Sequence, residues 1–182
     1  MLSTGYLTLA ERYIPYEETK LRLPNEEIRH LFIEEVDNWF ADMAESADRT
    51  PLFSAIWNGK DEELSKILTA YLRKTISYYD YSESYYHAFT AGLVASSGYR
   101  VMSNRESGNR RPDLIIADAD TGKAAIFEFK RSKKADEMEY DAQKALAQIQ
   151  TMDYRSGLRE YDSIICYGVA FFQKTALAIS GQ

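Results

Sequence analysis

The chain has 182 residues, 45% hydrophobic and 27% charged, with a formal net charge of −6 at pH 7. That composition excludes a disordered chain and allows one ordinary domain, or a small domain with an appendage. Cys166 is the sole cysteine and His30 and His87 the sole histidines, which excludes a disulfide framework and leaves no ligand set for a structural zinc. No apolar run approaches the ~20 residues of a membrane span and no leader pattern opens the sequence, so a cytoplasmic setting is expected.

In chain order, Gly5–Leu9 and Thr19–Leu23 alternate weakly and predict two short strands. Asn25 is placed to cap a helix with Glu26 and Glu27 in its first turn and Ile28, Leu31, Phe32, Val36, Trp39, Phe40 and Met43 at helical spacing. After Asn58-Gly59, Asp61 opens a second amphipathic helix carrying Leu64, Ile67, Leu68, Tyr71, Leu72 and Ile76, expected to pack helix on helix. Glu83 to Ser97 reads as a buried helix stopped by Gly98. Strand-like runs follow at Tyr99–Met102, Asp113–Ala117 and Ala124–Phe129. A helix is expected over Glu137–Ile149, with Ala142, Ala145, Leu146 and Ile149 on one face. Ile164–Phe172 and Ala176–Ile179 read as closing strands. This order predicts an α/β fold, a mixed sheet with helices on both faces. Residues 1–76 form a helical N-terminal region with a short hairpin in this reading, and residues 77–182 the core.

Chemistry gathers at one predicted hairpin. Asp118-Ala-Asp-Thr-Gly122 is rich in turn formers. A turn centred between Asp120 and Thr121 sets Ala117 against Ala124, Ile115 against Ile126, and Asp113 against Glu128. Opposed residues have Cβ atoms roughly 4.5–5.5 Å apart, and the period of two puts Lys130 on the face of Glu128. Two facing carboxylates need a divalent cation, a shared proton or the Lys130 ammonium between them. A one-residue slip would send Glu128 to the other face and abolish the site. The plainer alternative is an edge hairpin whose polar ends reach solvent. It accounts for Lys130 more easily than for two acids at the ends of apolar strands.

From Tyr99 to Lys134 there are nine Lys or Arg against five Asp or Glu, a local net of +4 that leaves −10 on the rest. Such an island marks an anion site or a solvated face. Within it, Arg105, Arg110, Arg111, Arg131, Lys133 and Lys134 flank the proposed site and are candidates for phosphate contacts. His87, four residues after Glu83 on one helix face, reads as a hydrogen-bonded structural histidine before a general base. Tyr78, Tyr79, Tyr81, Tyr85 and Tyr86 suit packing with hydroxyls at the rim before base stacking.

Pro112-Asp113, fourteen residues, then Glu128-Phe129-Lys130 resembles the PD-(D/E)XK nuclease superfamily. Further segments resemble one bacterial branch, in which the nuclease-like domain follows an AAA-ATPase-like module. They are Gly5-Tyr6-Leu7-Thr8, Leu23-Pro24-Asn25-Glu26, Ser77-Tyr78-Tyr79-Asp80 with Glu83 and Tyr86-His87, Ser103–Gly108, Ala145–Ile149 and Tyr167–Phe171. The resemblance implies a restriction-endonuclease-like core and hydrolysis of nucleic acid, DNA before RNA, by a water activated by Mg²⁺ or Mn²⁺. Asp113 and Glu128 would be metal ligands with Glu83 as a further carboxylate, Lys130 the catalytic lysine, and Gln148 a residue lining the site. Arg105, Arg110 and Arg111 would hold phosphate. Two departures stand out: Arg110 replaces the usual Gly before the Arg of the Asp strand, and no Gly-x-x-x-x-Gly-Lys-Ser/Thr loop is present. The sequence thus reads as the C-terminal part, or a relic, of a longer protein. The rival readings are an inactive nuclease-fold module serving an ATPase partner, and a nucleic-acid binder that does not cleave.

Overall fold

The computed structural model describes residues 48–75, 83–95, 97–103, 111–152 and 154–181, with 8–9, 21–22, 25 and 27. Contacts divide the chain into two compact units, Met1–Met43 and Ala44–Gln182. In the first, β1 (Thr8–Leu9) pairs antiparallel with β2 (Leu21–Arg22), the short hairpin expected there. The helix expected over Ile28 to Met43 lies outside the described residues.

The second unit is built on a five-stranded mixed sheet in the order β3-β4-β5-β6-β7. The strands are β3 (Arg100–Ser103), β4 (Leu114–Asp118), β5 (Lys123–Arg131), β6 (Ser163–Phe172) and β7 (Thr175–Gly181). All neighbours are antiparallel except β5 and β6. Parallel neighbours cannot be joined by a tight turn, and here helix α4 (Met138–Thr151) lies between them in sequence. The hairpin register is the one read from the turn, with Ile115 opposite Ile126 and Ala117 opposite Ala124. Gly122 supplies a φ of +65° in that turn. The expected α/β class, a mixed sheet flanked by helices, is what the chain adopts.

The two faces of the sheet differ in kind. One is aromatic: Phe127 stacks on Tyr167 with centroids 4.9 Å apart, and Tyr86 of α3 (Glu83–Val94) stacks on Phe171 at 4.5 Å. Tyr86 is fully buried, with its hydroxyl on the Gln173 carbonyl, so it belongs to the core. Helix α1 (Thr50–Trp57) covers the same face, where the buried Tyr167 hydroxyl donates to the Ile56 carbonyl at 2.7 Å. The opposite face is small and aliphatic, with Ala117, Ala124, Ile126 and Cys166 packed under Ile149 of α4.

Helix α3 ends at Val94, earlier than the glycine at position 98 suggests. The Arg49 guanidinium takes the Leu93 and Ala95 carbonyls and so satisfies the acceptors of the last turn. Helix α2 (Asp61–Thr75) buries Leu64, Leu68 and Leu72. It packs on the edge strand β7 as well as on α1. Asp61, Ser65 and Thr69 accept the outward N–H groups of Ser180, Ala178 and Ala176. Four helical residues rise about 6.0 Å and two strand residues about 6.6 Å, so every fourth side chain meets every second amide. Helix α2, placed ahead of the boundary at residue 77 by the sequence reading, thus packs with α1 within the unit that carries the sheet.

Candidate active site

Glu128 lies on the central strand β5 and is 3% exposed. Its side chain faces α4, on the same side as Ala124 and Ile126. Asp113 stands one residue before β4, and its Oδ2 accepts the Phe129 backbone N–H at 2.8 Å. Carrying the hairpin register one pair further sets Asp113 against Glu128. Lys130 shares the face, with Nζ 3.6 Å from Glu128 Oε1. Gln148 of α4 donates its side-chain N–H to the same oxygen. Glu128 Oε2 is buried without a hydrogen-bond partner.

Glycine in β6 makes this approach geometrically feasible. Gly168 is the register partner of Glu128. A Cβ there would lie 2.5 Å from the Leu146 amide nitrogen, and nearer still to the Ala142 carbonyl oxygen. The bare backbone lets α4 rest directly on the sheet beside the acid, within reach of Gln148.

Burial, and then the charge of Asp113, push the Glu128 pKa up to about 7, while Lys130 draws it down. Tyr154 opens a short 3-10 turn after α4 and is 8% exposed. Burial foremost, with the charges of Glu128 and Asp113, raises its pKa. On the aromatic side, His87 Nε2 lies 2.6 Å from the Asp113 carbonyl and 3.3 Å from Ser103 Oγ. A carbonyl only accepts, so that nitrogen carries a proton. The ring packs on Phe129 with centroids 5.9 Å apart.

Asp113, Glu128, Lys130 and Gln148 therefore converge. Glu83 opens α3 at an exposed position, and no group of three or more His, Cys, Asp or Glu able to hold a metal occurs among the described residues. Arg111 is exposed next to buried Pro112, and Arg131, Lys133 and Lys134 are exposed after Lys130. Arg105 and Arg110 lie outside the described residues. Tyr154 and Gly168 were not assigned to the site by sequence reasoning. Tyr154 stands beyond the helix end, where periodicity gives no direction, and Gly168 acts by lacking a side chain. No helix among the described residues is long and apolar enough to cross a membrane.

The donor set suits a hard divalent cation, which takes oxygen ligands, and the buried Oε2 is an acceptor that such a cation would satisfy. Searches of curated proteins and of solved structures give no significant match. A protein-family model matches residues 81–180, a span that takes in Asp113, Glu128, Lys130 and Gln148. With more than half its length matched, the chain belongs to the PD-(D/E)XK nuclease superfamily.

Proposed function

We propose that this chain is a metal-dependent nuclease that hydrolyses phosphodiester bonds in nucleic acid, DNA in preference to RNA. Asp113 and Glu128 would hold Mg²⁺ or Mn²⁺. The observation that carries the reading is Glu128, a carboxylate buried in the middle of a sheet with Oε2 unpartnered. Burying an ion costs several kcal/mol unless a partner offsets it. Lys130 meets Oε1 only, and a cation at Oε2 completes the set. When bound, the cation supplies Lewis-acid activation of a water and of the phosphate.

The side chains do the rest in this reading. Lys130, with a quarter of its side chain exposed, sits where solvent and substrate enter, orients the attacking water and stabilises charge developing on phosphate. Gln148 holds Oε1. Exposed Arg111, with Arg105 and Arg110 before it, positions the backbone phosphates. Glu83 is kept as a further carboxylate on the strength of the sequence resemblance alone. The same segments are the support for an ATPase-associated setting.

The test is cleavage of labelled single- and double-stranded DNA and RNA with Mg²⁺ or Mn²⁺, comparing wild type with Glu128→Ala and Lys130→Ala. Cleavage by wild type that is lost in both variants and in EDTA is expected. Equal inertness of all three folded proteins would sink the reading and leave a non-cleaving module that serves a partner.

A further inference from the structure

Among the described residues, four buried side-chain nitrogen or oxygen atoms lack a hydrogen-bond partner. Two of them, Trp57 Nε1 and Ser97 Oγ, belong to residues that line one cleft. The cleft measures about 420 Å³, within the range of small-molecule sites. It lies between α1 and the bend that leads into β3, and Arg100 of β3 pairs with Ala117, at the end of β4 away from Asp113. Its lining residues from Arg49 to Trp57 precede the span that carries the site already described.

The lining is selective in two ways. One wall is aromatic: Tyr99 packs on Phe53 with centroids 4.8 Å apart and meets Trp57 edge-on at 5.3 Å. The polar side chains, in turn, can all donate. The indole N–H donates only, the Ser97 hydroxyl can donate, and Arg49, held by the Leu93 and Ala95 carbonyls, adds a guanidinium. No carboxylate is among the described lining residues. The nearest in sequence, Asp48, is exposed and its Oδ1 accepts the Thr50 N–H. Native folds seldom leave buried donors without an acceptor. Gly98, between Ser97 and Tyr99, is exposed at a φ of +83°, and a Cβ there would meet nothing within 4 Å. This wall has room to shift for a ligand that reaches both donors.

We propose that this cleft binds a nucleoside monophosphate. The base lies against Tyr99 with a ring acceptor on the Trp57 N–H, and the phosphate meets the Ser97 hydroxyl and Arg49. That ligand class joins a flat ring rich in acceptors to an anion, which matches the wall and the donors together. A free nucleotide and the phosphorylated end of a strand share this chemistry. The metal centre takes no part, so the inference stands or falls apart from the nuclease reading.

The test is a titration of the isotope-labelled full chain, in EDTA, with deoxyadenosine monophosphate, followed by heteronuclear NMR. Trp39 and Trp57 are the two tryptophans, and Trp57→Phe assigns their indole signals. Selective movement of the Trp57 signal is expected. Deoxyadenosine, which lacks the phosphate, should bind at least about 10-fold more weakly. Ser97→Ala, and Trp57→Phe read from the Gly98 amide, should each weaken the monophosphate roughly 3- to 10-fold. A short oligonucleotide with a terminal phosphate separates the sources: tighter binding than the monophosphate assigns a strand end, and weaker binding a free nucleotide. The inference is overturned by a Trp57 signal that about 10 mM monophosphate leaves unmoved. It is equally overturned by deoxyadenosine binding as well as its monophosphate, or by both variants binding like wild type.

Discussion

Glu128 on β5 and Gly168 on β6 are register partners across the parallel pair of the sheet. The space beside the acid that a side chain at 168 would fill is taken instead by the backbone of α4 at Ala142 and Leu146. Strand β5 and the helix that bears Gln148 are therefore fitted to each other through a glycine.

Gly168→Ala is expected to lift α4 and cost about 1–3 kcal/mol of stability, with loss of the Gln148 contact and of activity. Gly181→Ala is the control. The three atoms nearest its Cβ would all belong to the Leu146 side chain, the first at 3.2 Å, and a side chain can yield. Urea unfolding of the two variants should separate them clearly, Gly168→Ala being the less stable.

The raised pKa of Glu128 has a thermodynamic consequence. The folded chain holds this proton up to about pH 7, against an ordinary value of 4.5, so between these values it binds more protons than the unfolded chain. The stabilisation this gives is full below the ordinary value and is lost as pH rises through about 7. It is of the order of a few kcal/mol. Metal-free wild type should thus melt at lower temperature at pH 8 than at pH 5. Glu128→Gln should flatten that slope, and a slope unchanged by Glu128→Gln would show that other groups set it. Mn²⁺ should restore stability to wild type at pH 8 more than at pH 5, because the cation needs the ionised acid.

The ladder from α2 to the edge strand makes a separate claim. Ser65→Ala leaves the Ala178 N–H without its 2.8 Å partner, at an expected cost of about 1–3 kcal/mol. Lys66→Ala, which removes only an exposed pair with Glu62, should change stability by less than about 0.5 kcal/mol. Chemical denaturation of both, with light scattering to detect pairing of the opened edge, checks the difference.

His87 touches the backbone of Asp113 and its bond is to a carbonyl. His87→Phe keeps a ring against Phe129 and deletes the donor. Cleavage is expected to fall about ten-fold without change in the shape of its pH profile, since the effect is on where Asp113 sits. Loss of a general base would cost about 10²- to 10⁴-fold and remove an acid limb from the profile. Kinetics across pH separate the two.

The legible parts of this protein are those governed by short-range chemistry. Turn formers from Asp118 to Gly122 fix the hairpin, so the facing of Ile115 with Ile126 could be counted from the turn, and the convergence of Asp113, Glu128 and Lys130 followed. Ala142, Ala145 and Ile149 marked the buried face of α4, as they are buried in the fold. Helix α1 was missed. Its sequence, TPLFSAIW, is apolar nearly throughout and buries Leu52, Phe53, Ala55 and Ile56, so it has little polar face for periodicity to detect. The stop of α3 depends on Arg49, 44 residues from the Leu93 carbonyl it binds. Such pairings depend on tertiary placement, which local pattern does not carry.

The central claim is that Asp113 and Glu128 form a divalent-cation site, and the most direct measurement is a crystal structure with MnCl₂ at pH 8, read from manganese anomalous scattering. The expected result is one strong peak between the Asp113 carboxylate and Glu128 Oε2, about 2.1 Å from each ligating oxygen, and its disappearance in Glu128→Gln. A well-ordered site with Glu128 Oε2 still unpartnered and no peak beside it would contradict the account.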